Sequence, residues 1–269
     1  MKYMLRIEIL FLVLFISNGI FGQSLSGEVV YDYKLKLNDV VIPREASLLF
    51  TDTSAVFYHS RGKGIVAIDI DGRQGGPLMS YTSGPEHNGM SVIDFYRKDN
   101  LGHTFYTNLN SNQMTAREII YFRSFMYEEP EIPQQEWELL DSTKTIGDYT
   151  CLAAKTLFRG RNYFVWFTPE IPLPFGPWKL NGLPGVILEA ADEERRIVFT
   201  ARAIQLGLKN KKLKKITPPD RAKRVISFAE FQTIHWKEQL RVNRVVESTA
   251  DRVSEYNEIS RHRTMEIFE

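Results

Sequence analysis

The sequence predicts a mainly β fold of the α+β kind: one large curled antiparallel sheet or half-barrel built from hairpins, with a C-terminal helical segment. Three observations carry this. Between residues 27 and 206 the chain is a succession of strand-length runs rich in Val, Ile, Phe and Tyr. Short polar turns separate the runs, which makes consecutive strands antiparallel. After Pro219 neither Gly nor Pro occurs, and apolar residues recur at helical spacing. A sheet of so many hairpins must twist and curl to cover its own apolar face.

The elements follow in order. "GEVVYDYKLKL" alternates, with Val29, Tyr31, Tyr33, Leu35 and Leu37 on one face. "ASLLFTDTSAVFYHS" reads as a hairpin turning at Asp52-Thr53-Ser54, and "GIVAIDIDGRQ" as a strand closed by Asp71-Gly72. "VIDFYRKDNLGHTFYTNL" sets two aromatic runs around a turn from Asp99 to Gly102, and "TAREIIYFRSFMYEE" follows before Pro130 and Pro133. "DYTCLAAKTLF" turns through "RGRN" into "YFVWFTPEI", and "GVILEA" turns through "ADEER" into "RIVFTARAI". Residues 207–226 form a basic, Pro-containing linker. From 227 to 269, Ser227 and Glu230 make a capping box ahead of Phe228, Phe231, Ile234, Val242, Val245, Val246, Thr249, Val253 and Tyr256. This pattern fits one long helix or two shorter ones.

The first 22 residues have the layout of a secretory signal peptide: Lys2 and Arg6, an apolar run from Ile7 to Ile16 broken by Glu8, then Ser17, Gly19 and Gly22. The run is short of the roughly 20 residues a spanning helix needs, although an uncleaved anchor is the competing reading. No cysteine lies near the cleavage region, so lipid attachment there is excluded. The expected location is periplasmic or secreted, with no membrane span after cleavage. Losing Lys2, Arg6 and Glu8 removes two positive charges and one negative, taking the formal charge from +1 to zero. A neutral protein is not steered to nucleic acid, and no nucleic-acid partner is expected. Cys151, the single cysteine, cannot form an internal disulfide and reads as a small buried hydrophobe.

Residues 146–192 also carry a resemblance. "WFTPEIP" at 166–172, "GPWK" at 176–179 and Gly182-Leu183-Pro184-Gly185-Val186-Ile187 occur in fixed order. This block resembles the GLPGLI family of exported bacterial proteins, with Val186 where the family name has Leu. The resemblance implies an envelope location and a β-rich domain, and it brings no reaction, cofactor or catalytic residue with it.

Sites of chemistry are sparse. After Gly185 comes strand material rather than the Lys-Ser/Thr of a phosphate loop. His59, His87, His103, His235 and His262 show no metal-ligand spacing and read as solvated or singly bonded, so no metal and no cofactor is expected. "DIDG" at 69–72 lacks the remaining calcium ligands, and no G-x-S-x-G elbow occurs. Residues 73–90 form a long Gly/Pro loop. The basic run of Lys209, Lys211, Lys212, Lys214, Lys215, Arg221, Lys223 and Arg224 reads as a solvated linker, a patch for anionic lipid or an acidic protein, or a nucleic-acid contact.

The expected function is therefore non-enzymatic: an envelope protein binding an apolar ligand or an envelope partner through Trp166, Trp178, Leu180, Leu183 and Pro184. Gly176, Pro177, Gly182 and Gly185 shape the turns. Leu183-Pro184-Gly185-Val186 fits a type II turn with positive φ at Gly185. Two alternatives stand: a hydrolase assembled around Asp69, Asp71 and His87, and a structural accessory subunit of an outer-membrane transporter.

Overall fold

A computed structural model describes residues 24–37, 40–59, 66–68, 91–93, 102–120, 123–219 and 224–247. The leader, Asp69, Asp71, His87, the 73–90 loop and everything beyond residue 247 lie outside the described residues. The strands are β1 (Gly27–Leu37), β2 (Val40–Phe50), β3 (Ser54–His59), β4 (Val66–Ile68), β5 (Ser91–Ile93), β6 (His103–Asn108) and β7 (Gln113–Ile120). They continue with β8 (Arg123–Glu129), β9 (Glu138–Ile146), β10 (Tyr149–Phe158), β11 (Arg161–Thr168), β12 (Val186–Asp192), β13 (Ile197–Leu206) and β14 (Val225–Ser227). A short helix α1 (Asn210–Leu213) and a long one, α2 (Phe228–Glu247), complete the set.

Twelve strands form one open sheet in the order β14-β8-β7-β6-β3-β2-β1-β13-β12-β11-β10-β9. Every neighbouring pair is antiparallel except β14 with β8. The mainly β, curled-sheet fold with a C-terminal helix is thus the one the sequence predicts. The β2–β3, β10–β11 and β12–β13 hairpins turn where short polar segments placed them. At the β10–β11 turn both Arg159 (φ 51) and Gly160 (φ 74) are left-handed, as a tight two-residue hairpin requires. In the β12–β13 turn the Asp192 carboxylate accepts the Ile197 N–H and the Arg161 guanidinium.

Two elements differ from expectation. The run after Gly102 does not form the expected hairpin with the one before it: β6 has β3 and β7 as its neighbours, and Ser91–Ile93, the described part of the earlier run, pairs with β4 in a separate ribbon. Inward-facing Phe57 and Phe105 sit opposite one another, so the 60–102 connection is an excursion from a β3–β6 hairpin. The basic linker is also less independent than its composition suggests. Its Leu208 is buried against Leu49 and Val56, and Val225–Ser227 joins the sheet beside β8. The Ser227 hydroxyl accepts the Glu230 N–H, which starts α2 at the expected cap.

The core lies on one face of the sheet. Val29, Tyr31, Tyr33 and Leu35 of β1 are buried there, and Phe175, Trp178, Leu180 and Leu183 of the Pro/Gly segment close over it. Near the β14 edge, Phe231 of α2 stacks on Tyr127 at 4.2 Å. Curl is visible in one contact. Arg159, at the tip of β10–β11, meets Glu129 of β8 at 2.6 Å, although each of these strands lies one in from an opposite edge of the sheet.

Candidate functional site

The GLPGLI-like segment is built by three glycines with three different reasons. Gly182 holds φ at 90°, a region that side chains avoid. Gly176 is pressed against Leu180 O and Ile187, where an added Cβ would come within 2.7 Å of both. Gly185 corrects the sequence expectation, because it is not left-handed and the type II turn does not form. It is glycine because a Cβ there would lie 2.1 Å from the Thr168 carbonyl oxygen. That backbone-on-backbone approach seats the end of the segment against β11.

Trp178 is 2% exposed and left-handed at φ 58, an uncommon conformation for a bulky residue. The rings of Phe158 and Tyr163 surround it, at 5.5 and 6.0 Å, and hold it there. Leu180 and Leu183 are equally buried, Pro177 is buried beside them, and Pro184 is exposed. Trp166 sits apart on the outward phase of β11, with Lys144 Nζ 4.5 Å from its ring. The residues expected to form one contact surface are therefore not brought together. Three of them, Trp178, Leu180 and Leu183, line the core instead, since apolar side chains in a rigid connection gain most by covering the sheet. The void left beneath the segment, lined by Leu48, Phe57, Phe105, Met114 and Trp178 among others, is about 10 Å³. That is room for about one water molecule.

Lys179 also enters the core, with its side chain 0% exposed. Its ammonium donates to Glu129 Oε1 at 2.5 Å, and Glu129 Oε2 accepts from Arg159 at 2.6 Å. Phe228 (4.6 Å), Tyr127 (5.0 Å), Trp178 (5.9 Å) and Phe105 (6.0 Å) ring the ammonium with aromatic faces. The triad joins β8, the β10–β11 turn and the Pro/Gly segment, while α2 contributes Phe228. Buried ion pairs add little net stability, but removing one partner strands a charge and costs about 3–5 kcal/mol.

A second polar group begins two residues from Phe105 along β6. The register places Phe105 opposite Phe57 and Ala116, and His103 opposite His59. The two imidazoles stack at 4.5 Å with planes 17° apart. Glu118 Oε2 is 3.7 Å from His103 Nδ1, and Tyr127 donates its hydroxyl to Glu118 Oε1 at 2.5 Å. His235 of α2 packs nearby, its pKa lowered by burial and drawn partly back by Glu118. Tyr33 meets His59 edge-on at 5.2 Å, with Arg44 above the Tyr33 ring. Three histidines that read as separate in the sequence are thus gathered at one end of the inner face, where the 60–102 connection leaves and returns. The signal was present: His59 follows Ala55 and Phe57 on the inward phase of β3, and His103 precedes Phe105 on that of β6. Among the described residues no group of three or more His, Cys, Asp or Glu is arranged to hold a metal ion.

Cys151 is buried, and desolvation pushes its thiol up to about 11, so it is no nucleophile at neutral pH. Outside, Leu157 (70% exposed) and Phe164 (41% exposed) lie on the outward phase of β10 and β11. No described helix is long and apolar enough to cross a membrane.

No protein-family model matches the chain, and no curated protein matches it. Its fold is similar to that of PNGF-II, in both its C2 and P21 space-group structures. The TM-score is 0.50 in each case, with 12% and 13% identity over 81% and 80% of this chain. The match covers 34% of PNGF-II, so this chain spans about a third of that protein's length. At such identity the likeness defines a class of open, curled antiparallel sheet and nothing finer.

Proposed function

We propose that the chain is an exported cell-envelope protein of the GLPGLI type that works by binding a protein partner rather than by catalysis. The leader pattern and the ordered 166–187 motifs support the export and the family. The narrowness of the space beneath the motif segment supports the choice of partner. A carrier of apolar ligands needs a cavity of about 300 Å³ or more, whereas the space beneath the motif segment is about 10 Å³. Exposed apolar side chains lie outside, among them Leu157 and Phe164 on adjoining strands, bordered by the Lys155–Glu138 ion pair. A partner offering an apolar strip fits there, and a subunit of an outer-membrane transporter is one such partner. Leu157→Lys with Phe164→Lys tests this. The doubly changed protein should stay folded and lose a partner that co-purifies with the parent from the periplasm. Retention of that partner would overturn the reading.

The His59–His103–Glu118 group favours a second reading, a hydrolase in which Glu118 orients His103 as the base. Turnover of ester or glycoside substrates that Glu118→Gln abolishes, with the fold intact, would put this reading first.

A further inference from the structure

We infer that the turn of residues 207–216 is a docking surface for anionic lipid head groups. The turn is fixed to the sheet. Ser26 O accepts the Gly207 N–H at 2.8 Å and Ser26 Oγ accepts the Leu208 N–H at 3.0 Å. Leu208 is buried with Leu49 and Val56, and Leu213 and Ile216 pack against that cluster together with Tyr58 and Tyr106. One lysine of the run, Lys212, reaches inward to Glu28 and Gln205. The other four, Lys209, Lys211, Lys214 and Lys215, are exposed, and none makes an ion pair or hydrogen bond through its ammonium among the described residues. This contrasts with Lys144, Lys155, Lys179 and Arg202, each of which is matched by a carboxylate. Four lysines without an ion pair among the described residues, on a turn anchored to the sheet, form a concentrated positive patch on a nearly neutral chain.

The occupant follows from charge and from the anchoring of the turn. Described structure begins at Ser24, whose hydroxyl donates to Asp52, and two residues later Ser26 holds the basic turn. The four lysines therefore stand on one turn tied to the first strand, where the head-group phosphates of an envelope membrane can meet them together. This part rests on the export reading given above. Exposed Leu206, which immediately precedes the turn, adds an apolar contact at head-group depth. Each lysine near an anionic bilayer contributes roughly a fivefold gain in binding.

The test uses the chain from Ser24 onward, which holds every described element, with vesicles of phosphatidylcholine alone or mixed with phosphatidylglycerol. Sedimentation at low salt should bring the protein down with the mixed vesicles only, and salt at about 0.5 M should release it. The variant with Lys209, Lys211, Lys214 and Lys215 all changed to Gln should bind roughly a hundredfold or more weakly, with an unchanged melting temperature. Equal binding to neutral vesicles, undiminished binding of the variant, or no binding by the parent would each overturn the inference. Fractionation of cells reports the location independently, so failure of vesicle binding is distinguishable from failure of the export reading.

Discussion

Two polar groups share one aromatic interior, and they are built to opposite ends. Around Lys179 an ammonium, a guanidinium and a carboxylate are enclosed by rings and joined across strands from opposite flanks of the sheet. Around Glu118 the partners are histidines, one stacked on the other. Tyr127 belongs to both: its ring faces Lys179 and its hydroxyl bonds Glu118. The first group ties β8 to the β10–β11 turn across the curl. The second sits at the root of the 60–102 connection, beside His235, whose pKa burial lowers. The two groups are therefore distinguished by their chemistry and their place in the sheet, not by burial.

The largest expected effects are on the Lys179 group. Glu129→Gln leaves Lys179 and Arg159 without their shared carboxylate and should cost about 3–5 kcal/mol in urea unfolding. Lys179→Met keeps the Glu129–Arg159 pair and should cost clearly less. Equal losses would mean that the carboxylate is not the hub. Trp178→Ala should also cost about 3–5 kcal/mol as a core truncation.

Next comes the backbone that carries the group. Gly185→Ala forces a Cβ against the Thr168 carbonyl and should destabilise by about 3 kcal/mol. Gly147→Ala, left-handed but with open space around it, should cost only about 1 kcal/mol. A reversed order would show that conformation outweighs close approach here.

The titratable group gives a smaller, pH-dependent effect. Burial holds the His235 pKa below its unfolded value of about 6.5. As the pH falls below about 6.5 the unfolded chain takes up the proton first, so this contribution is complete above that value. It is lost as the pH drops through the native pKa, at no more than ~1.4 kcal/mol per pH unit. His235→Leu should flatten that part of the stability profile while leaving the Lys179 variants' losses unchanged. The smallest effect belongs to the exterior: Leu157→Lys with Phe164→Lys should move stability by no more than about 0.5 kcal/mol.

Local features were legible in the sequence. Alternation in "GEVVYDYKLKL" placed Val29, Tyr31, Tyr33 and Leu35 correctly because period two is a property of the strand itself. The RGRN turn and the Ser227 cap were readable for the same reason. What escaped depends on contacts between distant residues. Gly185 looks like a turn glycine, but its requirement comes from Thr168, which is 17 positions away. Lys179 looks like a surface lysine until β8 supplies Glu129, and the His59–His103 stack exists only once β3 and β6 are in register. Trp178 and Trp166 read alike in sequence, and the fold buries one fully and leaves the other half-buried on β11.

The central claim is that the space beneath the motif segment is filled by the protein's own side chains and closed by the Lys179–Glu129–Arg159 group. Native mass spectrometry of the protein isolated from the periplasm and washed in high salt tests it most directly. The account predicts the bare mass of the mature chain under both native and denaturing conditions. A stoichiometric apolar adduct, kept in the native spectrum after the wash and released on unfolding, would contradict it.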